Sequence, residues 1–301
     1  MSTFVSVALL VALAVVMLGL GLSLTVADFA RVAKRPKAVV VVLVCQFVIL
    51  PAACFGLVTA FGTEPVLAVG MMLLVATPGG PAANLFSHLA GGDVALNVTL
   101  TAVTSVISVV AFPLIANLSL AHFLGGGPGV GLSFDKVVQV MAVVVIPVAT
   151  GMLIRRWRPG VADRSERPVK IVSVVVLVLV IALAIAGDQG RFLAYLGEIS
   201  VVAFLMGLLS LTLGYVAPRL LRVGPRQAIA SAMEIGIHNA TVAVTVALSP
   251  QFLNSPRMAL APAIYAMQIM IIAPVFAYLI SRPLRRTAAV PPADGAARPA
   301  A

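Results

Sequence analysis

Apolar segments of about twenty residues or more follow one another along nearly the whole chain, separated by short polar turns. A helix needs roughly 20 mostly apolar residues to cross about 30 Å of hydrocarbon. Only helices and closed barrels satisfy their backbone groups there. The segments therefore imply an all-α, polytopic membrane protein. Nine spans are expected, at 3–27, 36–61, 65–90, 93–120, 132–155, 168–187, 191–218, 225–249 and 256–281. Charged residues are only 10% of the chain, against about 25% in soluble domains, which excludes an ordinary soluble enzyme.

The formal charge of +10 is explained by where the basic residues lie, without nucleic acid. They crowd alternate loops: Arg31, Lys34, Arg35 and Lys37; Arg155, Arg156, Arg158, Arg164, Arg167 and Lys170; Arg219, Arg222 and Arg226; Arg282, Arg285, Arg286 and Arg298. The intervening loops hold only Lys136, Arg191 and Arg257. By the positive-inside rule the rich loops are cytoplasmic, which places the N-terminus outside and the C-terminus inside a bacterial inner membrane. Met1 to Leu24 has no basic n-region and too long an apolar run for a signal peptide, so it reads as a retained span. Cys45 and Cys54, nine residues apart on one helix, read as packing residues.

The proline- and glycine-bearing segment 155–170 reads as a cytoplasmic linker. It separates a first membrane half, 1–154 with spans one to five, from a second, 171–286, followed by a disordered tail at 287–301. With the fifth span set aside, two groups of four spans remain in opposite orientations, the geometry of an inverted repeat. The third span of each group is broken. In the first, Thr77-Pro78-Gly79-Gly80-Pro81-Ala82-Ala83-Asn84 cannot continue a helix, since proline lacks the amide donor and clashes with the preceding turn. In the second, Glu234-Ile235-Gly236-Ile237-His238-Asn239 is the densest polar run in any span. Broken backbone at membrane depth is tolerated where it is buried or lines a cavity, and two such breaks point to a transporter's binding region.

Glu234 is the only acidic residue deep within a span. A carboxylate there calls for a cation, a proton or a basic partner, and no lysine or arginine lies at matching depth. Asn97, Thr101, Ser105 and Ser108 follow one another along the fourth span at helical spacing, with Thr104 alongside. Side-chain hydroxyls pack membrane helices together, which suits Ser105 and Ser108. Asn97 and Thr101, shortly after the broken segment, suit a hard cation instead, since such ions prefer amide, hydroxyl and carboxylate oxygens. Gln46 is a lone amide before Pro51, and His238 stands four positions from Glu234, a contact that would require a regular helix.

Pro78-Gly79-Gly80-x-x-x-Asn84, then Gly92-Asp93-Val94-Ala95-Leu96, then Glu234-x-Gly236-x-x-Asn239, with Gln46-Phe47-Val48 before Pro51, resemble the bile acid:sodium symporter family. The resemblance implies a nine-helix form of a fold with a panel domain and a core domain whose broken helices cross. It also implies sodium-coupled symport of a small organic anion, bile acid-like, pantoate-like or a keto acid, by alternating access. One sodium would be held by Asn84, Asn97, Thr101 and Glu234, and a second by Gln46, Glu234, Ile235, Ile237 and His238. Substrate would meet Asn239 and the backbone of Gly79, Gly80 and Pro81. Ala83 stands where the family often has a serine, Asn97 replaces a serine, and His238 replaces a glutamine. Imidazole nitrogen is a poor sodium ligand. The alternative is proton coupling through His238 and Glu234. An intramembrane enzyme would need paired aspartates or a nucleophile with its base, and the spans hold no aspartate pair.

Overall fold

A computed structural model describes residues 3–125, 132–186 and 189–288, so most of the expected tail lies outside the described residues. The helices are α1 (Thr3–Ser23), α2 (Val26–Arg31), α3 (Pro36–Val44), α4 (Leu50–Ala60), α5 (Pro65–Val75), α6 (Pro81–Leu89), α7 (Val94–Leu124), α8 (Phe134–Trp157), α9 (Pro159–Ala186), α10 (Gln189–Leu220), α11 (Pro225–Gly236), α12 (Ala240–Leu248) and α13 (Pro256–Ala288). The protein is an all-α, polytopic membrane protein. Among the described residues five helices are long and apolar enough to cross a bilayer alone, and α1 with the segment after it, bent by 63°, makes a sixth.

Two packed groups are evident. Helices α1, α8 and α9 lie against one another, while α5, α7, α10, α11, α12 and α13 form the second group. The first is held at van der Waals limits by small residues: a Cβ on Gly21 would sit 2.2 Å from the Val148 carbonyl oxygen, and one on Gly151 would sit 2.5 Å from that of Leu18. Glycine here lets two backbones touch, a recurrent basis of helix association in lipid. Helix α2 folds back onto α7, and α9 reaches α12 and α13, so the groups meet along a long seam.

Prolines set several helix boundaries. Pro36, Pro65, Pro81 and Pro225 all open helices, where a missing amide costs nothing. Pro51 falls one residue into α4, and the preceding turn, Cys45–Ile49, widens to π-helical geometry. The widening follows from Pro51, which has no amide to offer the Phe47 carbonyl and crowds it. It leaves Gln46 fully buried. Two expectations differ from the structure. The supposed linker at 155–170 is helical apart from Arg158, because Pro159 begins α9 instead of ending a helix. The first break is narrower than expected, since the helix resumes at Pro81 and Asn84 lies within α6.

Candidate functional site

Helices α5 and α11, of 11 and 12 residues, run about 16 to 18 Å before they stop, at about 1.5 Å per residue, a little over half the hydrocarbon thickness. Their broken ends meet. The Gly80 amide donates to the Ile237 carbonyl at 2.6 Å and the Asn239 amide to the Pro78 carbonyl at 3.0 Å, flanking an antiparallel pairing of Gly79 with His238. Each break thus satisfies the other's backbone, which bare hydrocarbon would not allow. Helices α6 and α12 then start on either side of this bridge, with Gly80 and Asn239 as equivalent caps.

Glu234 lies in the last turn of α11, fully buried. Its Oε2 accepts from the Thr101 hydroxyl at 2.6 Å and its Oε1 from the Thr104 hydroxyl at 2.9 Å. The Asn97 amide nitrogen stands 3.4 Å from Oε2 and donates to the Ala230 carbonyl at 2.9 Å, fixing α7 against α11 one turn before Glu234. Asp93 sets the phase of α7: its carboxylate caps Leu96 N, and its own amide donates to the Arg226 carbonyl. The backbone of Gly79 closes the opposite side, where a Cβ would lie 2.3 Å from the Glu234 carboxyl carbon. Any side chain at that position would have to displace the end of the Glu234 side chain.

This cluster has oxygens to spare. The carbonyl oxygen of the Asn97 amide is buried without a hydrogen-bond partner. Threonine hydroxyls donate to the carboxylate here, yet each keeps lone pairs that face a cation once the hydroxyl rotates. Of the residues that the sequence pointed to, Asn97 and Thr101 stand against Glu234, while Asn84 lies on α6, its carbonyl oxygen buried without a partner. Thr104, named from the sequence only as lying alongside the stripe, also donates to Glu234.

The other candidates gather on the far side of the bridge. Gln46 donates from Nε2 to the Thr77 carbonyl at 2.8 Å and stands 3.3 Å from His238 Nδ1. Tyr265 donates its hydroxyl to the Gly236 carbonyl at 2.7 Å, and its ring lies 5.6 Å from that of His238. Glu234 and His238 face different neighbours and share no hydrogen bond. Ile235 and Ile237 are buried, and the Ile237 carbonyl is taken by Gly80. The Asn239 Oδ1 caps α12 at Val242 N, while its Nδ2 is buried without a partner. Pro81 is half-buried at the start of α6.

A narrow cleft of about 20 Å³ reaches Pro78 and Val242 between Ser108 and Phe112 of α7 and Val140 and Met141 of α8. That is room for about one water. Further along, a hollow of about 420 Å³ between Pro113 and Leu118 of α7 and Val137 of α8 shares Met141 with it.

The model of the Sodium Bile acid symporter family matches residues 10–195. The chain belongs to that family. It is a family of transporters, not of enzymes, and this member is a multi-pass membrane protein. It is 25% identical to a Bacillus subtilis protein named as an uncharacterized sodium-dependent transporter, over 88% of this chain and 80% of that one. It is 28% identical to human sodium/bile acid cotransporter 4 over 85% of this chain and 59% of that protein. A third relative, a probable sodium/metabolite cotransporter of Arabidopsis chloroplasts, is 33% identical over 35% of this chain and 26% of its own length.

Proposed function

We propose that this protein is a sodium-coupled symporter that carries a small organic anion across the bacterial inner membrane by alternating access. The observation that supports this reading most is the Glu234 carboxylate. It is fully buried among Thr101, Thr104 and Asn97, with the carbonyl oxygen of Asn97 unpartnered. One carboxylate with neutral oxygens suits a hard monovalent cation, since the bound ion cancels the only formal charge. The substrate's anionic group would meet the starts of α6 and α12, where Asn239 Nδ2 offers a donor at the positive end of two short dipoles. Helices α1, α8 and α9 would serve as the panel and the remaining broken-helix group as the core. Under the positive-inside orientation the cleft between α7 and α8 opens outward.

Uptake of a panel of small organic acids into proteoliposomes tests this, with sodium and proton gradients imposed separately. Accumulation driven by inward sodium is expected. Accumulation that ignores sodium and follows a pH gradient would overturn the reading and favour proton coupling.

A further inference from the structure

We propose that the corner where α8 meets α9 binds the headgroup of an anionic phospholipid, whose acyl chains lie along α8. Three features come together there: arginines without acidic partners, an exposed tryptophan, and an apolar stripe that leads away from both. None of them involves Glu234 or its cation.

Helix α8 ends on Arg155, Arg156 and Trp157, Arg158 makes the turn, and Pro159 opens α9. Between 155 and 170 the sequence holds six basic residues and only two acidic ones. Arg155 pairs with Asp163. Arg156, Arg158 and Arg164 are exposed, and among the described residues no carboxylate pairs with any of them. Uncompensated positive charges gathered at one corner call for an anion. The planar guanidinium suits a phosphate, whose oxygens it meets with two parallel N–H donors. Orienting the chain in the membrane would need only positive charge anywhere in this loop. Here the arginines stand beside a surface that fits acyl chains.

Only 11% of the apolar stretch of α8 is buried within the protein, the least of the five spanning helices among the described residues, so lipid covers most of its length. Ile146, Leu153 and Trp157 are exposed by 62%, 44% and 68% and fall on one face of α8, at steps of seven and four. Tryptophan settles at headgroup level, where its ring has an apolar body and a polar edge. Arg156 and Arg158, on either side of it, therefore lie at the depth of lipid phosphates. A soluble polyanion would use the arginines and leave the stripe bare, whereas a phospholipid uses both. A net negative headgroup is favoured over a zwitterionic one, since the latter brings a cation of its own against the arginines.

Trp157 is the only tryptophan of the chain, so its fluorescence reports directly on the lipid beside it. The full-length protein is placed in nanodiscs of phosphatidylcholine and phosphatidylglycerol in equal parts, with quenching bromine atoms on the acyl chains of one lipid or of the other. Phosphatidylglycerol is expected to occupy the corner about tenfold or more in preference, since each arginine near an anionic surface is worth a factor of about five. In a folded Arg156→Gln/Arg158→Gln/Arg164→Gln protein the two quenching curves should converge. Lys34→Gln/Arg35→Gln/Lys37→Gln removes the same charge from another exposed segment and should leave them apart. Equal quenching by the two lipids in the wild-type protein overturns the proposal. A preference that survives in the corner variant, or that both variants abolish, overturns the assignment to this corner. Quenching by neither lipid overturns the placement of Trp157 against lipid and the site with it.

Discussion

Gly79→Ala probes the geometry of the crossing with a single methyl group. The added carbon would stand 2.3 Å from the Glu234 carboxyl carbon and Oε1, and 2.5 Å from Oε2. Non-bonded carbon and oxygen atoms rest at about 3.5 Å, so more than 1 Å must be found somewhere. The backbone cannot supply it cheaply, because Gly80 and Asn239 pin the bridge on both sides at 2.6 and 3.0 Å. The carboxylate must retreat, and its hydrogen bonds to Thr101 and Thr104 are at risk. Hydrogen bonds to a charged group are worth about 1.5–3 kcal/mol each. Losing one, about 2 kcal/mol, weakens sodium about 30-fold, and losing both weakens it by a hundredfold or more. The assay is a sodium titration of the purified variant, by isotope binding or by sodium-dependent protection against thermal unfolding. Gly56→Ala, whose added carbon meets nothing within 4 Å, is the matched control and should leave sodium affinity unchanged. A folded Gly79→Ala protein that binds sodium within about threefold of wild type would refute the reasoning, since the carboxylate would then have moved aside without losing its threonine contacts.

Three further outcomes follow from single contacts. Thr104→Val keeps shape but removes the hydroxyl on Oε1, and sodium affinity should fall about tenfold; an unchanged titration would return Thr104 to packing alone. Tyr265→Phe leaves the buried Gly236 carbonyl without its donor, a loss of about 1–3 kcal/mol of stability that a melting curve in detergent should register. Lys136 Nζ donates to the Phe252 carbonyl at 2.9 Å, tying α8 to the loop after α12. Lys136→Met should loosen that tie, so that a cysteine placed at Ser108 in the cleft reacts about tenfold faster with a thiol reagent; equal rates would show that the tie does not restrain the cleft.

Much of this architecture is legible in the sequence because lipid is a strict solvent. Long apolar runs and a double-proline interruption leave few alternatives, and Glu234 is conspicuous as a lone deep carboxylate. Finer features turn on phase and on neighbours. At 100° per residue Thr104 falls about 20° from Asn97 on α7, while Ser105 falls about 80° away, so Thr104 shares the face that meets Glu234. Pro81 read as part of the interruption because proline breaks helices, yet it opens α6, the position proline favours. The segment 155–170 misled in the same way, through Pro159. The four-residue spacing of Glu234 and His238 suggested a contact that the end of α11 at Gly236 removes. Which amide end Gln46 turns toward Thr77 was not legible, since it depends on a residue thirty-one positions away.

The bridge between the two breaks also fixes a length. Residues along a strand pairing alternate in the side to which they project, so a shift of one reverses every side chain. One residue inserted between Thr77 and Gly80, or between Gly236 and Asn239, would move Gly79 off the Glu234 carboxylate and turn a neighbour's side chain onto it. Two stretches about 160 positions apart are thereby held to a shared tally, and neither can gain or lose a residue unless the other changes with it.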